Sequence, residues 1–288
     1  MFIEARKIIS LLIAGIMLLA TIMVAGCGNT EEIKEPGNEN TQELSGKLTI
    51  AGSTSVQPFS EVLAEEFMLI NPQADISVQG GGSSQGVKAA ISGVADIGAA
   101  SRELKEEEMT ENPDLLVARI AMDGVAVVVH PSNSVQDISQ EEVKNIYAGN
   151  IKNWKELGGV DAAITVVSRE DGSGTRDAFV SVVMDEEDIV ASAIIQNSNG
   201  AVKTAVVGDP NAIGYVSLAV VDSDIKALNI EGAAPSVENI KAGTYKISRS
   251  FNYITKGEPT GLTQAFIEFV LSEEGQGIIV EEGAISVK

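Results

Sequence analysis

Cysteine, histidine and cationic side chains are scarce in this sequence, and each shortage excludes a class of function. The 288 residues include one Cys and one His, so an intrachain disulfide is impossible and a Cys/His zinc site is nearly so. Lys and Arg number 20 against 41 Asp and Glu, for a net charge of −21. Nucleic acids and anionic membrane surfaces are bound through basic patches, so the acidic balance argues against both partners.

Groups that perform catalysis are equally sparse. A serine hydrolase would have to use His130, which follows an apolar run and precedes Pro131. A phosphatase needs a nucleophile paired with a base, or a pair of metal ions, and no cluster of metal ligands is visible. The acidic run 106–108 is typical of a solvated helix face. We therefore predict that the protein is not an enzyme and uses no metal or cofactor.

Residues 1–26 are typical of an export signal. A basic pair, Arg6-Lys7, precedes an apolar run over 8–24, and small residues lead to Cys27 in the tetrad Val-Ala-Gly-Cys. The tetrad resembles the bacterial lipoprotein signal, in which the Cys is lipidated, with palmitate among the acyl chains, and becomes the new amino terminus. Residues 27–45 are then the lipidated Cys and a polar, disordered tether. This predicts a protein that is lipid-anchored at the extracytoplasmic face of the cell membrane.

From residue 46 onward, short apolar runs alternate with amphipathic stretches, which predicts an α/β fold of largely parallel sheets with helices on both faces. The patterns predict strands over 48–51, 75–78, 95–99, 117–130, 164–168, 212–217 and 245–249. They predict helices over 56–70, 85–92, 141–147 and 176–184, and one long helix over 262–279. Ligands of such sheets bind beyond the carboxyl ends of the strands.

Three loops share one chemistry, and each joins a predicted strand to a predicted helix. They are Gly52-Ser53-Thr54-Ser55, Gly80-Gly81-Gly82-Ser83-Ser84-Gln85-Gly86 and Asp171-Gly172-Ser173-Gly174-Thr175. Glycine lets the backbone approach a ligand, and a helix amino terminus presents free N–H groups to an anion. Ordinary helix caps and turns use the same residues. Arg169 precedes the third loop and can form paired hydrogen bonds to an oxyanion, with Asp171 placed to hold its guanidinium.

Together these stretches resemble the PstS-type substrate-binding proteins of bacterial phosphate ABC transporters. The matching segments run in family order from about residue 48 to 254, and the most specific is Arg169-Glu170-Asp171-Gly172-Ser173-Gly174-Thr175. The resemblance implies a two-lobed, venus-flytrap fold of the type II periplasmic binding proteins, with a two-strand hinge. Lobe 1 would comprise 46–126 plus 249–288, and lobe 2 would comprise 127–248. The chain would be a monomer.

The resemblance also implies a function and a site. The protein would bind inorganic phosphate in the cleft and deliver it to the membrane permease. Phosphate would be bound by Thr54, Ser55, Ser83, Arg169, Ser173, Gly174 and Thr175, with Ser53 and Ser84 as further loop hydroxyls. Other oxyanions such as sulfate or molybdate, and a surface sensor or adhesin without transport, remain alternatives.

One departure from the family concerns the group that accepts the phosphate proton. Family members carry an Asp there, and this chain has Ser101 followed by Arg102. A buried acceptor left unpaired can discriminate against the wrong ligand by about 10⁴–10⁵, which explains how the family rejects sulfate. We expect Asp123 to supply the acceptor here and Arg102 to supply a second cationic contact.

Overall fold

In this computed structural model, the structure describes residues 44–288. The predicted export signal, the lipidation site Cys27 and nearly all of the tether lie outside the described residues. None of the helices within 44–288 is long and apolar enough to cross a membrane.

The described residues form eleven strands and nine α-helices in alternation. The strands are β1 (Gly46–Gly52), β2 (Ala74–Gly80), β3 (Ile97–Ala100), β4 (Leu115–Val129), β5 (Asp137–Ile138), β6 (Thr165–Arg169), β7 (Ile194–Gln196), β8 (Ala212–Ser217), β9 (Lys226–Ala227), β10 (Asn229–Ile230) and β11 (Ser248–Lys256). The helices are α1 (Gln57–Ile70), α2 (Ser83–Ser92), α3 (Glu106–Glu111), α4 (Gln140–Tyr147), α5 (Gly174–Phe179), α6 (Asn199–Gly208), α7 (Val237–Lys241), α8 (Gly261–Val270) and α9 (Glu273–Glu281). A π-helical turn, Val180–Met184, continues α5.

One mixed sheet runs through the described body in the order β2-β1-β3-β11-β4-β8-β6-β7, with β9 beside β4. At one end β1 pairs in parallel with β2 and β3, and at the other β6 pairs in parallel with β7 and β8. Between them β11 and β4 run antiparallel to each other and to their outer neighbours. The prediction of parallel sheets is therefore correct for the two ends and wrong for the centre.

The long strand β4 connects the two ends of the sheet. Its first part, 115–124, pairs with β11, and its last part, 125–129, pairs with β8. In the first register, Asp123 lies opposite Arg249. The two central strands thus bring a carboxylate and a guanidinium face to face at the point where β4 changes partner.

Buried apolar side chains divide into two groups, which gives the fold its two lobes. One group draws on residues 48–121 and 251–284, and the other on residues 125–247. We call these the first and the second lobe. Fully buried Phe and Leu side chains in each group contribute about 1.5–3 kcal/mol apiece, so each lobe has its own core.

The carboxyl-terminal prediction of one helix over 262–279 is wrong. The segment forms α8 and α9 with a break at Leu271 and Ser272. Ser272 Oγ accepts a hydrogen bond from Gly275 N at 3.1 Å and so caps α9. A side chain at Gly275 would approach Phe269 O to 2.2 Å, so the glycine allows the two helices to pack closely.

Candidate functional site

The three glycine- and serine-rich loops meet between the lobes, a convergence that their spacing in the sequence does not by itself show. They follow β1, β2 and β6 and lead into α1, α2 and α5. Their hydroxyl groups, together with one at the end of β3, form a buried group that we call the hydroxyl cluster. It consists of Ser53, Thr54, Ser55, Ser83, Ser101 and Thr175, all of them buried except Thr54, which is partly buried.

Close backbone packing places the first loop. Gly52 has a φ of +143°, and a side chain there would approach Ala99 O to 2.1 Å. Only glycine tolerates this conformation and this proximity without strain. The following Ser53 Oγ accepts hydrogen bonds from Ser55 N at 3.2 Å and Val56 N at 3.4 Å. The start of α1 is thereby fixed beside β3.

Hydrogen bonds across the cleft connect the two lobes at the cluster. Ser55 Oγ and Thr175 Oγ1 are 3.0 Å apart, and Ser84 N donates to Gly172 O at 3.0 Å. Gly174 brings α5 against the first lobe, since a side chain there would lie 2.3 Å from Ser83 Oγ. Each predicted loop therefore contributes to the contact between the lobes.

Ser173 has a different role from the other predicted hydroxyls. Its Oγ accepts a hydrogen bond from Arg176 N at 3.3 Å and caps α5. This is an ordinary helix cap, which fixes the start of α5.

Arg169 lies fully buried beside the cluster. Its Nη2 donates to Thr54 Oγ1 at 3.3 Å and its Nη1 donates to Thr175 Oγ1 at 3.4 Å. Glu170 holds the guanidinium through Nε at 2.9 Å and Nη2 at 3.0 Å. The expectation that Asp171 would hold it is wrong, because the Asp171 carboxylate pairs with Arg176 instead.

A second guanidinium, that of Arg249, which the sequence patterns did not indicate, reaches the cluster from β11. Arg249 Nη2 donates to Ser55 Oγ at 2.9 Å and its Nη1 donates to Ser101 Oγ at 3.3 Å. On the other side, Nε and Nη2 donate to Asp123 Oδ2 at 3.2 and 2.9 Å. The guanidinium also packs over the ring of Phe251, 5.6 Å from its centroid.

Asp123 contacts the cluster through Arg249 and forms no direct hydrogen bond to the predicted hydroxyls. Both side chains are buried. Burial raises the pKa of Asp123, and Arg249 opposes that shift. Burial also lowers the pKa of Arg249, and Asp123 opposes that shift in turn. Removal of two charges from water is unfavourable unless the charges are paired, so each group requires the other.

Asn199, at the start of α6, is a second residue that the sequence analysis missed. Its Nδ2 donates to Ser55 Oγ at 2.8 Å and to Thr54 Oγ1 at 3.2 Å. Its Oδ1 accepts from Ser217 N at 3.0 Å. No helix was predicted at 199–208, and so the residue carried no signal.

Arg102 is not brought into the cluster. Its guanidinium makes a bidentate pair with Glu108, 2.8 Å from each carboxylate oxygen, and donates to Ser84 Oγ at 3.0 Å. Its Nε lies 2.9 Å from Asp177 Oδ2 in the second lobe, without the alignment of a hydrogen bond. The guanidinium that does reach the hydroxyls of the cluster from the first lobe is that of Arg249. Glu108 is correspondingly not a solvated helix residue.

Three of these arginines, Arg102, Arg176 and Arg249, also border a cleft cavity of about 720 Å³. The apolar side chains of Met122, Val180 and Val182 lie nearby. Within residues 44–288, no group of three or more His, Cys, Asp or Glu side chains is arranged to hold a metal ion. The chemistry of the site is therefore that of hydrogen-bond donors and guanidinium groups.

Comparisons with known proteins agree with this geometry. A family model described as a PBP superfamily domain matches residues 37–274. The phosphate-binding protein PstS of Bacillus subtilis strain 168 is 39% identical, over 98% of this chain and 94% of its own.

Solved structures give the same result. A protein of Clostridium perfringens, assigned as a phosphate ABC transporter substrate-binding protein and solved with bound phosphate, is 45% identical with a TM-score of 0.82, over 84% of this chain and 100% of its own. An ABC-type phosphate transport receptor of Vibrio cholerae is 39% identical with a TM-score of 0.69, over 83% and 99%.

Proposed function

The chain belongs to the PBP superfamily and, within it, to the PstS-type proteins, and from this premise we propose that it binds inorganic phosphate between its lobes for an ABC permease. The observation that carries the proposal is the hydroxyl cluster with Arg169 buried beside it. Hydroxyl and guanidinium donors in a site away from water bind an oxyanion far more strongly than exposed ones do. Its relatives are binding proteins, and the chain is not an enzyme.

We assign phosphate contacts to the residues that the family motifs indicate. They are Thr54, Ser55, Ser83, Arg169, Ser173, Gly174 and Thr175, with Ser53, Ser84 and Ser101 as neighbouring hydroxyls. Among them, Ser173 acts through its backbone and its cap, because its Oγ already accepts from Arg176 N.

Entry of the anion requires the lobes to move. Ser55 Oγ and Thr175 Oγ1 are within hydrogen-bond distance of each other, so an anion that contacts both must enter between them. We propose that the lobes separate about β4 and β11, the central strands, and close again on the ligand. The closed pair of lobes would then be the form that the permease recognises.

The two groups of buried residues support our lobe boundaries to within two residues. We propose 46–126 plus 249–288 for the first lobe and 127–248 for the second. Val125 and Ala126 already pack with the second lobe, so its core begins two residues before that boundary.

We further propose that the protein acts as a monomer and is anchored through a lipid on Cys27, at the extracytoplasmic face of the membrane. The anchor predicts that the full chain fractionates with membranes in a lipoprotein-processing bacterium and incorporates labelled palmitate. Cys27→Ala should abolish labelling. Labelling that persists in this variant, or a wild-type chain that is never labelled, would contradict the anchor.

Calorimetric titration of residues 28–288, which contain the whole described body, tests the ligand. The wild type should bind one phosphate. Arg169→Gln should weaken binding by at least about 30-fold, the effect of removing one partner of a buried charge pair. Arg119→Gln is the matched control, because Arg119, on β4, forms an exposed ion pair with Glu103 away from the hydroxyl cluster, and this substitution should leave the affinity unchanged. Absence of phosphate binding by the wild type would contradict the proposal.

A further inference from the structure

The hydrogen bonds around Ser55 determine the direction of its own proton. A hydroxyl oxygen has two lone pairs and one proton, and a guanidinium has donors only. Ser55 Oγ accepts from Arg249 Nη2 at 2.9 Å and from Asn199 Nδ2 at 2.8 Å. The Asn199 amide is oriented by Ser217 N, which can only donate and does so to Oδ1. Both lone pairs of Ser55 are filled, and its proton must be donated, with Thr175 Oγ1 at 3.0 Å.

The same reasoning applies to Thr54 and Thr175. Thr54 Oγ1 accepts from Arg169 Nη2 at 3.3 Å and Asn199 Nδ2 at 3.2 Å. Thr175 Oγ1 accepts from Ser55 at 3.0 Å and Arg169 Nη1 at 3.4 Å. Both lone pairs of Thr54 are occupied, so it presents its proton as a donor. When an anion separates Thr175 from Ser55, Thr175 still accepts from Arg169 and can donate its own proton to the anion.

Ser101, which stands where the family carries its Asp acceptor, is also a donor. Its Oγ accepts from Ser53 Oγ at 2.9 Å and from Arg249 Nη1 at 3.3 Å. Its proton is then directed to Ser83 Oγ, 3.3 Å away, and an anion that displaces this long hydrogen bond would receive the proton instead. In the family, the Asp at this position accepts a hydrogen bond from the phosphate proton. In this chain, Ser101 at the same position is itself a donor.

We propose that Arg249 is a second guanidinium ligand of the anion and that Arg249 and Asn199 together fix these hydroxyls as donors. The site then selects a tetrahedral oxyanion by its charge, without a proton acceptor at Ser101. This inference rests on the proposed function. Asp123 is a positioning residue, since both nitrogens that it binds belong to Arg249.

The inference has a direct consequence for specificity. A buried acceptor would reject sulfate, which has no proton, by about 10⁴–10⁵. A cluster of donors accepts sulfate and doubly charged phosphate alike. Sulfate affinity should be independent of pH, and phosphate affinity should fall in acid as the dianion gives way to the monoanion.

Titration of residues 28–288 with phosphate and with sulfate, each at several pH values, tests this account. Phosphate should be preferred by less than about 10³, well below the discrimination of a buried acceptor. Asp123→Asn should weaken both anions by a similar factor and leave their ratio unchanged. A preference of about 10³ or more overturns the proposal, and loss of that preference in Asp123→Asn would assign the proton acceptor to Asp123.

Variants of Arg249 test its role as a ligand. Arg249→Gln should weaken phosphate and sulfate by at least about 30-fold each. Because this variant leaves Asp123 buried without its partner, the double variant Asp123→Asn/Arg249→Gln is measured beside it, and it should show the same loss. Affinities within two-fold of the wild type in the double variant would mean that Arg249 only supports the fold. If the wild type binds neither anion, the proposed function itself fails.

Discussion

Replacement of Gly174 by alanine tests whether the lobes must close on the ligand. Gly174 begins α5 in the second lobe and contacts the first. The added methyl carbon would lie 2.3 Å from Ser83 Oγ and 2.6 Å from Ser101 Oγ. Both hydroxyls are fully buried, and Ser83 Oγ accepts a hydrogen bond from Ser101 N at 3.0 Å. Neither hydroxyl can therefore move away freely.

The added methyl group should destabilise the closed arrangement of the lobes by about 1–3 kcal/mol, the usual effect of overpacking a well-packed contact. The cost applies only while the lobes are closed, because separation of the lobes removes the contact. Phosphate affinity should therefore fall by about 5- to 150-fold. The free energy of unfolding of the ligand-free protein should not fall, since alanine favours a helix over glycine.

Calorimetry gives the affinity, and urea unfolding without phosphate gives the stability. Gly277→Ala is the matched control, because Gly277 lies within α9 and a side chain there meets nothing within 4 Å. It should leave the affinity unchanged and raise the stability by about 0.5–1 kcal/mol. The reasoning is refuted if Gly174→Ala binds phosphate as the wild type does, or if it unfolds like a protein with a damaged core.

Three other measurements follow from the structure. Glu108→Gln should lower the free energy of unfolding by about 1–3 kcal/mol near pH 7, because the ion pair with Arg102 lowers the pKa of Glu108 below its ordinary value. That contribution is present above pH 4.5 and is lost as the pH falls through the lowered pKa, so urea midpoints of variant and wild type should converge in acid; a constant gap would contradict the ion pair. Ser272→Ala should remove the cap of α9 and cost about 1 kcal/mol, whereas an unchanged melting temperature would show that the cap contributes nothing. Phosphate affinity should depend weakly on salt, because the net charge of −21 gives no long-range attraction and the buried pairs are poorly screened; a steep loss with salt would be the contrary result.

The sequence predicts what is local in the site. Glycine allows the tight turn between a strand and a helix, and serine caps the helix that follows. The sequence therefore indicates the three loops, including the one that contains Ser173. The capping box of α4 is local in the same way: Ser139 and Glu142 are three residues apart, and the side chain of each accepts a hydrogen bond from the backbone N–H of the other.

The spacing of residues in the sequence does not show which side chains from distant parts of the chain form hydrogen bonds or ion pairs with each other. Arg249 meets Asp123 only because β11 and β4 pair in one register, although the residues lie 126 positions apart. Two adjacent carboxylates follow Arg169 in the sequence, and in the structure Glu170 pairs with Arg169 whereas Asp171 pairs with Arg176. Arg102 was expected to contact the anion because it follows Ser101, and its actual partners, Glu108 and Asp177, lie on other elements that spacing does not bring to it.

The most direct test of the central claim is a crystal structure of residues 28–288 with arsenate, a tetrahedral oxyanion whose arsenic can be located by anomalous scattering. We predict one peak between the lobes, within hydrogen-bond distance of Thr54, Thr175 and both guanidinium groups, Arg169 and Arg249. A peak elsewhere, or a loaded protein with no arsenic among these side chains, would contradict the assignment of the site.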